Sequence, residues 1–295
     1  MSTVPETAWY TGAGQPRRMG FFTDTTVCIG CKACEVACKE WNRVPDSGLS
    51  FTGDSLDNTG DLGANAWRHV AFVEQPAGGG QTVGRDGGGR AADLDWFGAA
   101  AQADGSAADM RFLMSSDVCK HCSRAGCLDV CPTGAIFRTE FDTVVVQEDI
   151  CNGCGYCVTA CPFGVIERRA GDGRAWKCTL CYDRTRDHLE PACSKACPTD
   201  SIQFGPLDEL RVRARDRVEQ VVAAGGVGAR LYGDDPADGV GGCGAFFLLL
   251  DDPEVYGLPP DPVVPTRDLT GMWAAVGAAA ALLAAGVAAV TGGSR

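Results

Sequence analysis

Sixteen of the seventeen cysteines in this 295-residue chain fall into four groups of four, and their spacing suits metal–sulfur chemistry. The first group reads Cys28-x2-Cys31-x2-Cys34-x3-Cys38. The second is Cys119-x2-Cys122-x4-Cys127-x3-Cys131-Pro132, and the third is Cys151-x2-Cys154-x2-Cys157-x3-Cys161-Pro162. The fourth is Cys178-x2-Cys181-x11-Cys193-x3-Cys197-Pro198. Three thiolates on one tight loop cap one face of an iron–sulfur cubane, and small residues between them admit the inorganic sulfurs. In a C-x2-C-x2-C-x3-C-P run the fourth cysteine ligates the neighbouring cubane. A disulfide framework needs paired cysteines with Cα atoms about 4.4–6.8 Å apart, which knots of four serve poorly. Zinc ribbons use two C-x2-C knuckles with a long spacer, and only the fourth group approaches that.

These groups must be positioned by short elements. Nineteen residues separate Cys131 from Cys151, with a strand expected over 143–146, so groups two and three pair. Groups one and four are left to pair with each other. Cross-ligation then assigns Cys28, Cys31, Cys34 and Cys197 to one cubane, and Cys178, Cys181, Cys193 and Cys38 to its partner. The other two take Cys119, Cys122, Cys127 and Cys161, and Cys151, Cys154, Cys157 and Cys131. Four [4Fe–4S] clusters are thus expected. The proline after the fourth cysteine predicts that this cysteine opens a helix.

The fold class that follows is α+β, with two pseudo-symmetric two-cluster ferredoxin-like modules nested in sequence. One module comprises residues 20–115 and 172–206, the other residues 116–171. Residues 207–268 form a cap and linker, and 269–291 a single transmembrane helix. Strands are expected over 67–74 and 110–114, flanking a Gly/Ala-rich insertion at 77–109. A charged, solvated helix is expected over 207–224, and a buried strand over 246–250.

Other chemistry is weakly represented. The formal charge of −12 and isoelectric point near 4.7 argue against nucleic acid as a partner. No catalytic nucleophile, flavin motif or nicotinamide-dinucleotide fingerprint is apparent, and the glycines of residues 78–90 read as a flexible loop. Residues 1–20 hold no apolar run, so no signal peptide is expected. Lys32, Lys120 and Lys177 lie beside ligand cysteines and His121 lies between two, which suits them to tune cluster potentials. Cys243, His69 and His188 read as structural.

Residues 272–290 are nineteen residues without a charge, enough helix to cross about 28 Å. They are mostly alanine, and Gly277, Ala281 and Gly286 allow close packing on partner helices. Pro259, Pro260, Pro262 and Pro265 precede them as a stiff linker. Arg267 and Arg295 flank the span evenly, so charge does not orient it.

The segments VCIGCKACEVACKEWN, CKHCSRAGCLDVCPTGAI, CNGCGYCVTACPFGVI and KCTLCYDR resemble the iron–sulfur (beta) subunit of membrane-bound respiratory formate dehydrogenases. The stretch GVGGCGAFFLLLDDPEVYGLPPDP resembles the region joining that subunit's ferredoxin core to its anchor. The resemblance implies a non-catalytic electron-transfer subunit. It implies two partners: a molybdopterin-containing catalytic alpha subunit and a multi-span membrane subunit that reacts with quinone. It also implies a lipid bilayer contact through the C-terminal helix and a cluster-bearing part on the outer face. The cysteine motifs alone are shared with subunits serving nitrate, sulfoxide, polysulfide or tetrathionate reductases and hydrogenases. The 77–109 insertion departs from the pattern.

Overall fold

The structure, a computed structural model, describes residues 9–48, 56–76, 110–226 and 228–292. The expectations for residues 1–8 and for the 77–109 insertion lie outside the described residues. In chain order the first elements are β1 (Met19–Asp24), α1 (Ala33–Asn42), β2 (Arg68–Pro76), β3 (Met110–Val118) and α2 (Gly126–Asp129). Next come β4 (Ile136–Arg138), β5 (Val144–Val146), α3 (Tyr156–Thr159), β6 (Glu167–Arg168), β7 (Ala175–Trp176), α4 (Tyr182–Arg186) and α5 (Ala192–Lys195). The last are β8 (Ile202–Pro206), α6 (Leu207–Ala223), β9 (Arg230–Tyr232), β10 (Ala245–Leu249) and α7 (Leu269–Gly292).

A four-stranded sheet in the order β8-β1-β10-β9 forms one layer. Its central strands β1 and β10 run parallel, with Phe21 opposite Ala245 and Asp24 opposite Leu248. Every residue of β10 is buried, the continuous apolar run expected of a strand covered on both faces. On one face α6 inserts Leu207, Leu210 and Ala214 against Phe22, Phe246 and Leu248. The dense charge of α6 therefore sits on one side only, and its apolar stripe caps the sheet. Truncating the fully buried Leu210 to alanine would cost about 2–5 kcal/mol.

The opposite layer holds the cysteines. Three hairpins punctuate it: β2–β3, β4–β5 and β6–β7. The β2–β3 hairpin pairs nine positions, from Arg68 with Val118 to Pro76 with Met110, so the insertion emerges from its far end. The β4–β5 hairpin joins cysteine groups two and three, and β6–β7 joins three and four. Helix α1 packs on α5, and α2 packs on α3, so the groups meet as one with four and two with three.

The expectation that the fourth cysteine opens a helix is overturned. Helices α2, α3 and α5 each carry the third cysteine of their group and end before the fourth. Cys131, Cys161 and Cys197 follow the cap residues Val130, Ala160 and Ala196, and the next residue is proline. Proline disfavours helix at the residue before it, and this stops each helix after one turn. Group one has Lys39 in place of that proline, and α1 runs on through Cys38 to Asn42.

The proline-rich linker is laid on the core rather than standing free. Leu258 and Val264 are buried, and Tyr232 Oη donates to the Pro259 carbonyl at 2.6 Å. Beyond it α7 is apolar over Leu269–Thr291, with a mean hydropathy of 2.0, and it is wholly exposed. It is one helix long and apolar enough to span a bilayer.

Candidate iron–sulfur sites

Each C-x2-C loop turns through a left-handed residue immediately before its second cysteine. Gly30, His121, Gly153 and Leu180 take φ of 65°, 44°, 72° and 57° at these equivalent positions. Glycine adopts this region freely, whereas His121 and Leu180 adopt it at a cost their burial must offset. Gly30 is also needed for space, since a Cβ there would lie 2.6 Å from the Phe72 ring. This repeated turn is a positioning device that cysteine spacing alone did not reveal.

Three cavities of similar size are lined by cysteines. The first is bordered by Cys119, Cys122 and Cys127 together with Cys161. The second brings Cys131 to Cys151, Cys154 and Cys157. The third joins Cys197 to Cys28, Cys31 and Cys34. The four remaining group members are also neighbours: the thiols nearest in effect to Cys38 are Cys178, Cys193 and Cys181. All seventeen cysteines are free thiols. Among the described residues no group of three or more metal-binding side chains closes on a single ion position. Four thiols around a cavity suit a polynuclear cluster better than one ion.

The thiols are hard to ionise on their own. Burial pushes Cys38, Cys127, Cys178 and Cys193 up; neighbouring thiols add to the rise, and at Cys193 the Arg68 charge opposes it. Burial and the other thiols of its cavity push Cys157 up to about 11. A bound cationic iron core would reverse this penalty, since bound metal favours the thiolate. Backbone amides already aim at sulfur: Leu180 N–H donates to Cys178 Sγ at 3.3 Å and Ala175 N–H to Cys151 Sγ at 3.4 Å. At Cys131 burial is outweighed by amides of residues 133, 135 and 136, which lower its pKa.

The four flanking residues differ in what they offer. Lys177 is fully buried and donates to the carbonyls of Val144 and Cys178. Burial opposes its charge, but Cys119, Cys127 and Cys178 raise its pKa, so it lies between two cysteine sets. Lys120 is equally buried but is paired with Asp117 and stacked over the Phe163 and Phe247 rings. Lys32 is half-exposed and shared between Glu35 and Asp57, so its charge is balanced. His121 borders the first cavity, and its Nδ1 accepts from the Val144 amide at 3.1 Å. Burial, then Lys177, Arg18 and Arg138, hold it well below the usual range, so it is neutral with its proton on Nε2. That nitrogen has no partner among the described residues.

Two further residues were not singled out as site residues from sequence. Cys243, read as structural, is fully buried and packs with Val240, Val264 and Cys122. Arg68, at the start of β2, is 2% exposed and sits among the thiols of the first and fourth groups. Nothing in its sequence context marks it; only the hairpin brings it there.

Comparison with known proteins identifies iron–sulfur relatives. A family profile described as a 4Fe-4S dicluster domain matches residues 110–207, and one described as a 4Fe-4S binding domain matches residues 25–41. The iron–sulfur subunit of the nitrate-inducible formate dehydrogenase of Escherichia coli (strain K12) is 38% identical over 267 residues, covering 89% of this chain and 78% of that protein. The iron–sulfur subunit of formate dehydrogenase-O from the same organism is 39% identical over 272 residues, covering 88% and 79%. The B subunit of its anaerobic dimethyl sulfoxide reductase is 33% identical over 204 residues, covering 67% and 78%. The chain therefore belongs to the family of formate dehydrogenase iron–sulfur subunits, non-catalytic electron-transfer proteins with 4Fe-4S ferredoxin-type domains.

Proposed function

We propose that the chain holds four [4Fe–4S] clusters and relays electrons from formate oxidation in a molybdenum or tungsten bis-pterin subunit to a membrane subunit that reduces quinone. The observation that carries this reading is the grouping of sixteen thiols into four sets of four, each drawn from two sequence groups. A [4Fe–4S] cluster supplies one-electron redox chemistry when bound. The proposed ligand sets follow the cavities: Cys28, Cys31, Cys34 and Cys197; Cys38, Cys178, Cys181 and Cys193; Cys119, Cys122, Cys127 and Cys161; and Cys131, Cys151, Cys154 and Cys157. They correspond to two nested two-cluster modules.

The sets stand in series. Cys34 neighbours Cys193, Cys178 neighbours Cys119, and α2 with α3 carries cysteines of the last two sets. The exposed cysteines Cys31 and Cys154 belong to the two terminal sets. Val264 and Thr266, which lead into α7, pack on Gly126 and bond Asp129, beside the last two sets. This supports a polarity in which the Cys154 end faces the membrane subunit and the Cys31 end the catalytic subunit. Helix α7 serves as a single anchor, with the cluster-bearing part on the outer face as family likeness suggests.

A second catalytic partner, such as a sulfoxide reductase, is supported by the match to the dimethyl sulfoxide reductase subunit. Substrate titration separates the two. Formate added anaerobically to the isolated complex is expected to reduce the clusters, as read by EPR. Clusters that stay oxidised with formate yet reduce with dithionite would exclude the formate reading.

A further inference from the structure

Arg68 is the first residue of β2, opposite Val118 in the β2–β3 ladder. Its guanidinium is 2% exposed, with the Phe21 ring 5.0 Å from Cζ. Nη1 donates to the Ser116 carbonyl at 3.2 Å and to Ser116 Oγ at 3.0 Å. Ser116 Oγ in turn contacts Cys34 Sγ at 3.2 Å, a thiol of the Cys28 cavity. Among the described residues Nε and Nη2 find no nitrogen or oxygen partner, and the guanidinium lies within side-chain hydrogen-bonding reach of the Cys193 thiol.

A guanidinium is always charged, and burying one without an anion is strongly unfavourable. Among the described residues no carboxylate pairs with Arg68. The groups that favour its charge are Cys193, Cys34, Cys178 and Cys38. One of them, Cys34, belongs to the first set and the other three to the second. Lys120, by contrast, has Asp117 as its counter-ion.

We infer that Arg68 is a cationic bridge between the first two cysteine sets, its guanidinium balancing the negative charge of both thiolate-ligated clusters and raising the reduction potentials of both. The inference rests on the ligand sets proposed above. Its physical basis is that reduction adds negative charge, which a buried cation and hydrogen bonds to sulfur stabilise. The fork of five donors also explains why arginine suits the place, since one side chain reaches the Cys34 side through Ser116 and has two nitrogens left over.

The test uses the intact complex, with Arg68→Gln and Arg68→Lys, iron analysis and EPR-monitored redox titration. Cys31→Ser and Cys181→Ser identify the signals of the two sets. Wild-type iron near sixteen per chain, and distinct signals altered by the two serine variants, check the ligand sets independently of Arg68. With Arg68→Gln, the midpoints of those two clusters are expected to fall while the cluster of Cys151 and Cys154 keeps its own. If Gln instead fails to hold those clusters, Lys is expected to retain them. In either case Lys should recover most of the wild-type behaviour, because it keeps the charge. Equal behaviour of Gln and Lys, in iron or in potential, overturns the inference, as does an equal shift of all four clusters.

Discussion

Cys34 and Cys38 lie one helical turn apart on α1, yet Cys34 lines the cavity of Cys28 and Cys197 while Cys38 neighbours Cys178, Cys181 and Cys193. Residues at i and i+4 share a helix face, with Cβ atoms about 5–6 Å apart. One helix therefore feeds two cysteine sets. Cys127 within α2 and Cys131 just past its end are likewise divided between two sets, as are Cys157 in α3 and Cys161 just past it.

This division underlies the proposed cross-ligation. Cys131→Ser is expected to perturb the cluster held mainly by the third group, matching Cys151→Ser in an EPR redox titration. Serine oxygen is a harder ligand than thiolate, so that cluster should shift in potential or lose an iron. If Cys131→Ser alters the signal that Cys119→Ser alters, ligation is local and the paired architecture fails.

Stoichiometry gives a coarser check. Anaerobically purified protein should carry about sixteen irons and sixteen acid-labile sulfides per chain. Chelation of that iron should also loosen the fold, because Cys34, Cys38, Cys119, Cys178 and Cys193 belong to the same buried core as Phe21, Trp67 and Phe204. Iron near eight, or one zinc per chain, would refute the four-cluster reading.

Lys177 and Lys120 make a matched pair of buried cations that differ in their counter-ions. Lys177→Met removes a charge that no described carboxylate balances, so the clusters on both sides of it should fall in potential. For charges roughly 6 Å apart at an effective dielectric of about 20, the Coulomb energy is about 2–3 kcal/mol. At about 59 mV per 1.4 kcal/mol for one electron, that is a shift on the order of 100 mV. Deleting Lys120 together with its partner, as Lys120→Met with Asp117→Asn, removes an ion pair of no net charge, so its net electrostatic effect is a smaller shift. Redox titration of the two proteins side by side would contradict this if the Lys120→Met/Asp117→Asn double variant gave the larger fall.

The cysteine groups were legible in sequence because ligand spacing is a local property: thiols must crowd one loop to cap one cluster face. The strand at 144–146 and the cap helix 207–223 were legible for the same reason, each announcing itself by its own periodicity or β-branched run. What sequence obscured was tertiary. Arg68 is separated from Ser116 by 48 positions and reaches the thiols only because β2 pairs with β3. Cys243 meets Cys122 only through the loop beyond β9. The helix error at Cys131, Cys161 and Cys197 came from reading proline as a helix opener. Proline serves both ends, and what decided here was the turn of helix that the third cysteine already occupied.

Packing of the core and the proposed attachment through α7 are separable. Truncation after Asp268 deletes α7 but keeps Val264, which is buried beside Cys243, and Thr266, which donates to Asp129 Oδ2 at 2.6 Å. The core should therefore retain its packing and its iron, because nothing in α7 is buried against it. Membrane attachment is a different matter. An apolar helix of this length contributes most of the free energy of insertion, although its many alanines make each residue's share small. The truncated protein and its catalytic partner are accordingly expected in the soluble fraction, with clusters still reduced by substrate and quinone reduction lost. Cell fractionation with iron analysis distinguishes the cases. Attachment and quinone reduction that both persist would show that α7 is dispensable and that the rest of the chain docks on the membrane subunit by itself.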